Sequence, residues 1–132
     1  MSVEIVRPEG WPRGAGYADG VLAPGRVLAV AGQVGWDPVT HTFASDDLGE
    51  QAARALANVV AGLRAAGGAP EQLVRLTWYV TSREEYVAAR GRIGEAYRAA
   101  IGQHYPAMSV VVVSGLLEPR AKVEIEATAV LP

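Results

Sequence analysis

Two periods of apolar residues run through this chain, and the switches between them divide it into elements. Leu48, Ala52, Leu56, Val59, Val60 and Leu63 recur every three or four positions, which builds one apolar stripe along a helix. Asp46 or Asp47 is placed to cap its start, with Glu50 and Gln51 where an acidic or amide side chain answers free backbone N–H groups, and Gly67-Gly68 with Pro70 ends it. The period then drops to two. Val74, Leu76, Trp78 and Val80 alternate with Arg75, Thr77 and Tyr79, the signature of a strand with one apolar face. Ser82 caps a second helix with Glu84 and Glu85 in its first turn; Tyr86, Ile93 and Tyr97 are its inward candidates, and His104-Tyr105-Pro106 breaks it.

Before the first helix, Pro8, Pro12 and Pro24 with Gly10, Gly14, Gly16 and Gly20 rule out helix and predict short strands joined by turns. Tyr17 to Val21 reads as a short strand, and Arg26 to Val34 as a longer one after a Pro24-Gly25 turn, which predicts a hairpin between them. Gly35 to Ser45 carries loop chemistry, including Asp37-Pro38. Two strands, Met108 to Ser114 and Lys122 to Leu131, close the chain around a turn with Pro119. The order β-β-α-β-α-β-β predicts an α+β fold, one mixed β-sheet with two helices on one face, built from residues 1–132 as a single domain. Arg75, Thr77 and Tyr79 on one strand and Glu124, Glu126 and Thr128 on another then make the other face polar and mixed, fit for solvent or for a second subunit.

Composition narrows the chemistry. Half of the 132 residues are hydrophobic and a fifth charged, a globular balance. A net charge of −2 with one lysine, Lys122, among the basic residues speaks against bulk attraction to nucleic acid or an anionic membrane. There is no cysteine, so disulfides, thiolate metal sites and a Cys nucleophile are excluded. Met1-Ser2-Val3-Glu4 lacks a basic start and an apolar stretch, and no window reaches a membrane span, so a cytoplasmic location is expected. The stretch Gly14-Ala15-Gly16-Tyr17-Ala18-Asp19-Gly20 imitates a dinucleotide loop, but its third glycine comes late and a strand follows. His41 and His104 lie in different loops, and no metal or cofactor is expected.

Four stretches are distinctive together: Ala31-Gly32-Gln33-Val34-Gly35-Trp36-Asp37, Val74-Arg75-Leu76-Thr77-Trp78-Tyr79-Val80-Thr81, Tyr105-Pro106-Ala107 and Val123-Glu124-Ile125-Glu126-Ala127-Thr128-Ala129. With Gln51, Asn58 and Ala66-Gly67, they resemble the Rid family of reactive intermediate deaminases, also called YjgF, from about Tyr17 to the C-terminus. That resemblance implies a chorismate-mutase-like fold, a homotrimer whose sheets meet at the centre, and small-molecule clefts at the subunit interfaces. In active members the clefts hydrolyse enamines and imines, such as 2-aminoacrylate, to a keto acid and ammonia. Glu124 matches the carboxylate that moves protons as water adds and ammonia leaves; the alternative for it is a salt bridge with Arg75 or Lys122. Glu126 is read as the structural member of the pair. Tyr17 matches a tyrosine that closes the cleft from the neighbouring subunit, and Ala31 and Gly32 match the strand end whose backbone approaches the ligand.

One position departs from that pattern. Active members carry, after Pro-Ala, an arginine that grips the substrate carboxylate in a two-pronged contact, and here the residue is Met108. Alanine stands at 31 where serine is frequent, and glycine at 91 where a polar side chain can reach the pocket. Each change makes the cleft less polar. The expected activity is therefore deamination of an enamine or imine without a free carboxylate, such as an acid masked as a thioester or amide; the alternative is a non-catalytic protein that binds a small ligand or regulates through the same clefts. The ribonuclease name that the family sometimes carries would require a basic, aromatic-lined surface, which the charge balance disfavours.

Overall fold

The computed structural model describes residues 3–132; Met1 and Ser2, the head of the stretch read as lacking a leader, lie outside the described residues. Strands β1 (Glu4–Val6), β2 (Gly20–Leu22) and β3 (Arg26–Val34) are followed by helix α1 (Leu48–Ala65), a 3-10 turn at Pro70–Gln72, and β4 (Leu73–Val80). Helix α2 (Arg83–Ala100), β5 (Ala107–Val112) and β6 (Val123–Leu131) complete the chain. The result is an α+β fold with a four-stranded sheet in the order β3-β6-β4-β5. Strands β4 and β5 run parallel, connected through α2, while β6 is antiparallel to both β3 and β4.

Alternation along β4 and β6 decides which side is covered. Leu76, Trp78 and Val80 of β4 and Val123, Ile125, Ala127, Ala129 and Leu131 of β6 are buried in one cluster with Leu56, Val59 and Leu63 of α1 and Ala89, Ile93 and Tyr97 of α2. Each large apolar side chain withdrawn there from water contributes about 1.5–3 kcal/mol. Both helices therefore sit on one face, and the intervening strand residues are left on the bare one. The helix starts are as the sequence predicts: Asp47 accepts from the Glu50 N–H at 2.9 Å and Ser82 from the Glu85 N–H at 3.1 Å. Arg92 of α2 also bonds Asp47, at 2.6 Å, and that contact, more than any other, holds the Asp47 carboxyl below the usual carboxylate range.

Three local expectations are corrected. The hairpin across Pro24-Gly25 does not form: β2 pairs with β1, and β3 pairs with β6 from Arg26↔Leu131 onward. A nine-residue partner offers β3 a full ladder, whereas the three residues of β2 could satisfy only its first turn of pairing. Gly25, at φ +141°, lies so close to the Leu131 carbonyl that a Cβ there would collide with it. Next, Val74 is not on the apolar face of β4; the ladder shifts between Leu73 and Arg75, and Leu73 is the buried residue. Finally, Gln51 does not serve the helix end. Its side chain is 1% exposed, donates to the Ser45 and Arg120 carbonyls at 3.0 Å each, and accepts from the Lys122 N–H at 2.8 Å.

Candidate functional site

Register places the polar residues of the bare face opposite one another: Arg75↔Thr128, Thr77↔Glu126 and Tyr79↔Glu124. Two carboxylates stand here, with different commitments. Glu126 accepts a hydrogen bond from the Tyr79 hydroxyl at 2.7 Å, which, before any other influence, pushes the Tyr79 phenol above its ordinary value. Glu124 has neither an ion pair nor a hydrogen bond among the described residues. Lys122, one of the two partners expected for it, is held by Glu85 at 2.7 Å instead, and Arg75 makes no ion pair among the described residues.

What Glu124 does touch is main chain. The β3–β6 ladder shifts register between Val30 and Gln33, so Ala31 and Gly32 form an irregular, bulged stretch of β3, a device that re-aims backbone beside a site. The Glu124 carboxyl lies over Gly32 in the space a Cβ would take; glycine is required there for the carboxyl to lie where it does. The loop that follows is tied to α1 by Asn58, 7% exposed, whose amide donates to the Val34 and Trp36 carbonyls at 3.1 and 3.0 Å. Ala31, Gly32 and Glu124 thus come together within one chain.

Tyr17, Met108 and Gly91 do not join them. Ala18 donates to the Pro106 carbonyl at 3.0 Å and bridges to Ala107, which fixes Tyr17 beside the start of β5. Met108 pairs with Leu76, on the helix side of the sheet, and its half-buried side chain packs against the core. Gly91 is exposed on α2, in the layer opposite Glu124. The predicted residues therefore do not converge within one chain: Ala31, Gly32 and Glu124 stand together, Tyr17 and Met108 lie by the start of β5, and Gly91 is on α2.

Beside Tyr17 the fold leaves an open cleft of about 620 Å³, whose walls include Arg7, Arg13, Tyr17, Asp19, His104 and Tyr105. Its floor is braced from below: His104 Nε2 donates to the Leu73 carbonyl at 2.7 Å, and the Tyr97 hydroxyl donates to the His104 carbonyl at 2.7 Å. Burial, its main cause, drives the Tyr97 phenol well above its ordinary value, so that it stays a donor. Tyr17 apart, the walls of this cleft come from stretches with no regular period and so leave little mark in the sequence. The available signal was Arg13 immediately ahead of the glycine-rich run that ends at Tyr17 and Gly20. Among the described residues no group of three or more His, Cys, Asp or Glu side chains is placed to hold a metal ion, and no helix is long and apolar enough to cross a membrane.

Two helices on one face of a mixed four-stranded sheet, with an uncommitted carboxylate on the other, define a small protein of the chorismate-mutase-like class. The chain belongs to the Rid (YjgF) family: residues 12–131 match the family described as Endoribonuclease L-PSP. A RutC family protein of Pyrococcus abyssi is 30% identical over 129 residues, 98% of each chain. Human 2-iminobutanoate/2-iminopropanoate deaminase is 28% identical over 114 residues, 86% of this chain and 79% of that one. Among solved structures, a Rid family protein of unknown function from Yersinia pestis superposes with a TM-score of 0.84 at 34% identity, covering 99% of this chain and 100% of that one. Escherichia coli TdcF with bound serine gives a TM-score of 0.69 at 29% identity over 98% and 99%.

Proposed function

We propose that this protein hydrolyses an enamine or imine to a carbonyl compound and ammonia, on a substrate with no carboxylate beside the reacting carbon. The observation that carries the reading is Glu124: a carboxylate left without a partner among the described residues, laid over bare main chain at Gly32. A carboxyl group so placed can deliver a proton to nitrogen and take one from the attacking water, and a hydrogen-bonding edge of backbone next to it can orient the substrate. Imine deaminases among the relatives support the reaction class. Met108 argues for the restriction on substrate, since a thioether offers no charge-assisted contact to a carboxylate.

The cleft in this reading is shared between subunits of a homotrimer. Glu124, Ala31 and Gly32 come from one chain, with Tyr17, Met108 and the exposed α2 surface at Gly91 from its neighbour, because one chain does not bring them together. The Met108 side chain equally favours a second reading, a non-catalytic cleft that binds a small ligand.

Glu124→Gln separates the two. It keeps shape but loses the exchangeable proton, and the expected result is a fall of roughly a hundredfold to ten-thousandfold in ammonia release from an active imine, with assembly unchanged. Full activity in that variant would move the chemistry away from Glu124, and an absence of turnover across thioester- and amide-masked imines in the wild type would favour the binding reading.

A further inference from the structure

We infer that the cleft beside Tyr17 holds an anionic group of the ligand, remote from the reacting carbon, through Arg7 and Arg13. The inference rests on the deaminase reading only for which end of the ligand reacts; the anion site stands on its own geometry.

Four observations converge. Arg7 and Arg13 both line this cleft, both are exposed, and neither guanidinium has an ion-pair or hydrogen-bond partner among the described residues. Second, Asp19 is the single carboxylate in the lining against those two guanidiniums, so the cleft is locally positive in a chain whose net charge is −2. Third, the hydroxyls of Tyr17 and Tyr105 point to no partner among the described residues, which adds neutral donors on the same walls. Fourth, about 620 Å³ falls within the range of roughly 300–1,000 Å³ that takes drug-sized ligands, far more than a three-carbon imine fills.

The placement matters for substrate choice. Gln103, His104 and Tyr105 of the cleft wall directly precede Pro106, Ala107 and Met108 in sequence, so the cleft lies by the start of the strand that carries Met108, although Met108 does not itself line it. Cationic charge has not vanished from this neighbourhood; it stands on the N-terminal segment, farther along. Guanidiniums on that wall, apart from Met108 and Glu124, which do not line the cleft, favour a ligand whose phosphate or carboxylate is separated from its reacting carbon. A masked acid on a long, acid-terminated arm meets both requirements, being neutral at Met108 and anionic at Arg13.

Calorimetric titration of the intact protein with matched probes tests this. Pantetheine and 4′-phosphopantetheine differ by the phosphate; adipamide and its monoacid differ by a carboxylate. The expected result is that at least one anionic member binds about tenfold or more tightly than its neutral partner, with the preference shrinking as salt is raised. The phosphate and carboxylate pairs then tell which anion the site prefers. Arg13→Ala and Arg7→Ala should each weaken that preference and the double variant should abolish it, while Arg13→Lys retains part. No preference in either pair, or a preference that survives the double variant, overturns the inference. Glu124→Gln should leave the preference intact; if it does so while ammonia release is also unaffected, the anion site stands and the deaminase reading falls. The reverse pattern, essential Glu124 with no anionic preference, leaves the deaminase reading and removes this site.

Discussion

At residue scale the chemistry turns on which charged groups are already spent. Glu126 is bound by Tyr79 and Lys122 by Glu85, which leaves Glu124 as the unpaired carboxylate of the bare face among the described residues and, in the proposed mechanism, the group that exchanges the proton. Met108 sets the complementary limit. Wild-type protein should release little ammonia or keto acid from enzymatically generated iminopyruvate or iminoleucine. Met108 is half-buried on an edge strand, so an arginine there can lay its stem on the core and extend its head outward. Met108→Arg should therefore raise turnover of those imino acids about tenfold to hundredfold, the yield of one sheltered bidentate contact, and Glu124→Gln on top should erase the gain. Robust turnover by the wild type would show that carboxylate binding does not depend on this position.

At the scale of elements, the loops that carry the site are held by buried amides rather than by apolar contacts. Gln51 reaches from α1 to the Ser45 carbonyl on one side and to Arg120 and Lys122 on the other; Asn58 does the same for Val34 and Trp36. Gln51→Leu matches the volume but strands two carbonyls and an N–H in a buried place, each worth about 1–3 kcal/mol when unsatisfied. Partial rehydration leaves an expected loss of about 3 kcal/mol in urea denaturation, with a melting point lower by roughly 10 °C. A loss under about 1 kcal/mol would mean that water replaces the amide fully and that the loops are anchored otherwise.

Among the described residues, the valines at the far end of β5 are left partly uncovered on the edge of the sheet. Val110, Val111 and Val112 of β5 are 41, 43 and 48% exposed, and β5 is an edge strand, an arrangement that invites pairing with another chain. A closed trimer would cover such a surface and join the two halves of the candidate cleft. Light scattering at micromolar concentration should give about 42 kDa for three 13.9 kDa chains. A stable monomer would separate Glu124 from Tyr17 and Met108 for good.

Much of this architecture was written in local pattern. The apolar stripe of α1, the caps at Asp47 and Ser82 and the alternation of β6 fix helix, strand and face by themselves, because each depends on neighbours a few residues away. Glu124, Gly32, Ala31, Tyr17, Met108 and Gly91 were marked out by motif resemblance, and of these one chain brings Ala31, Gly32 and Glu124 together. Tertiary structure decided what depends on distant partners: that β3 takes β6 rather than β2, since a long ladder outweighs a short turn; that Gln51 turns inward to bridge two loops; and that a bulge lays Gly32 under the Glu124 carboxyl. It also decided which arginines stay free, because pairing depends on what folding brings within reach and leaves no mark in the spacing of Arg7 and Arg13.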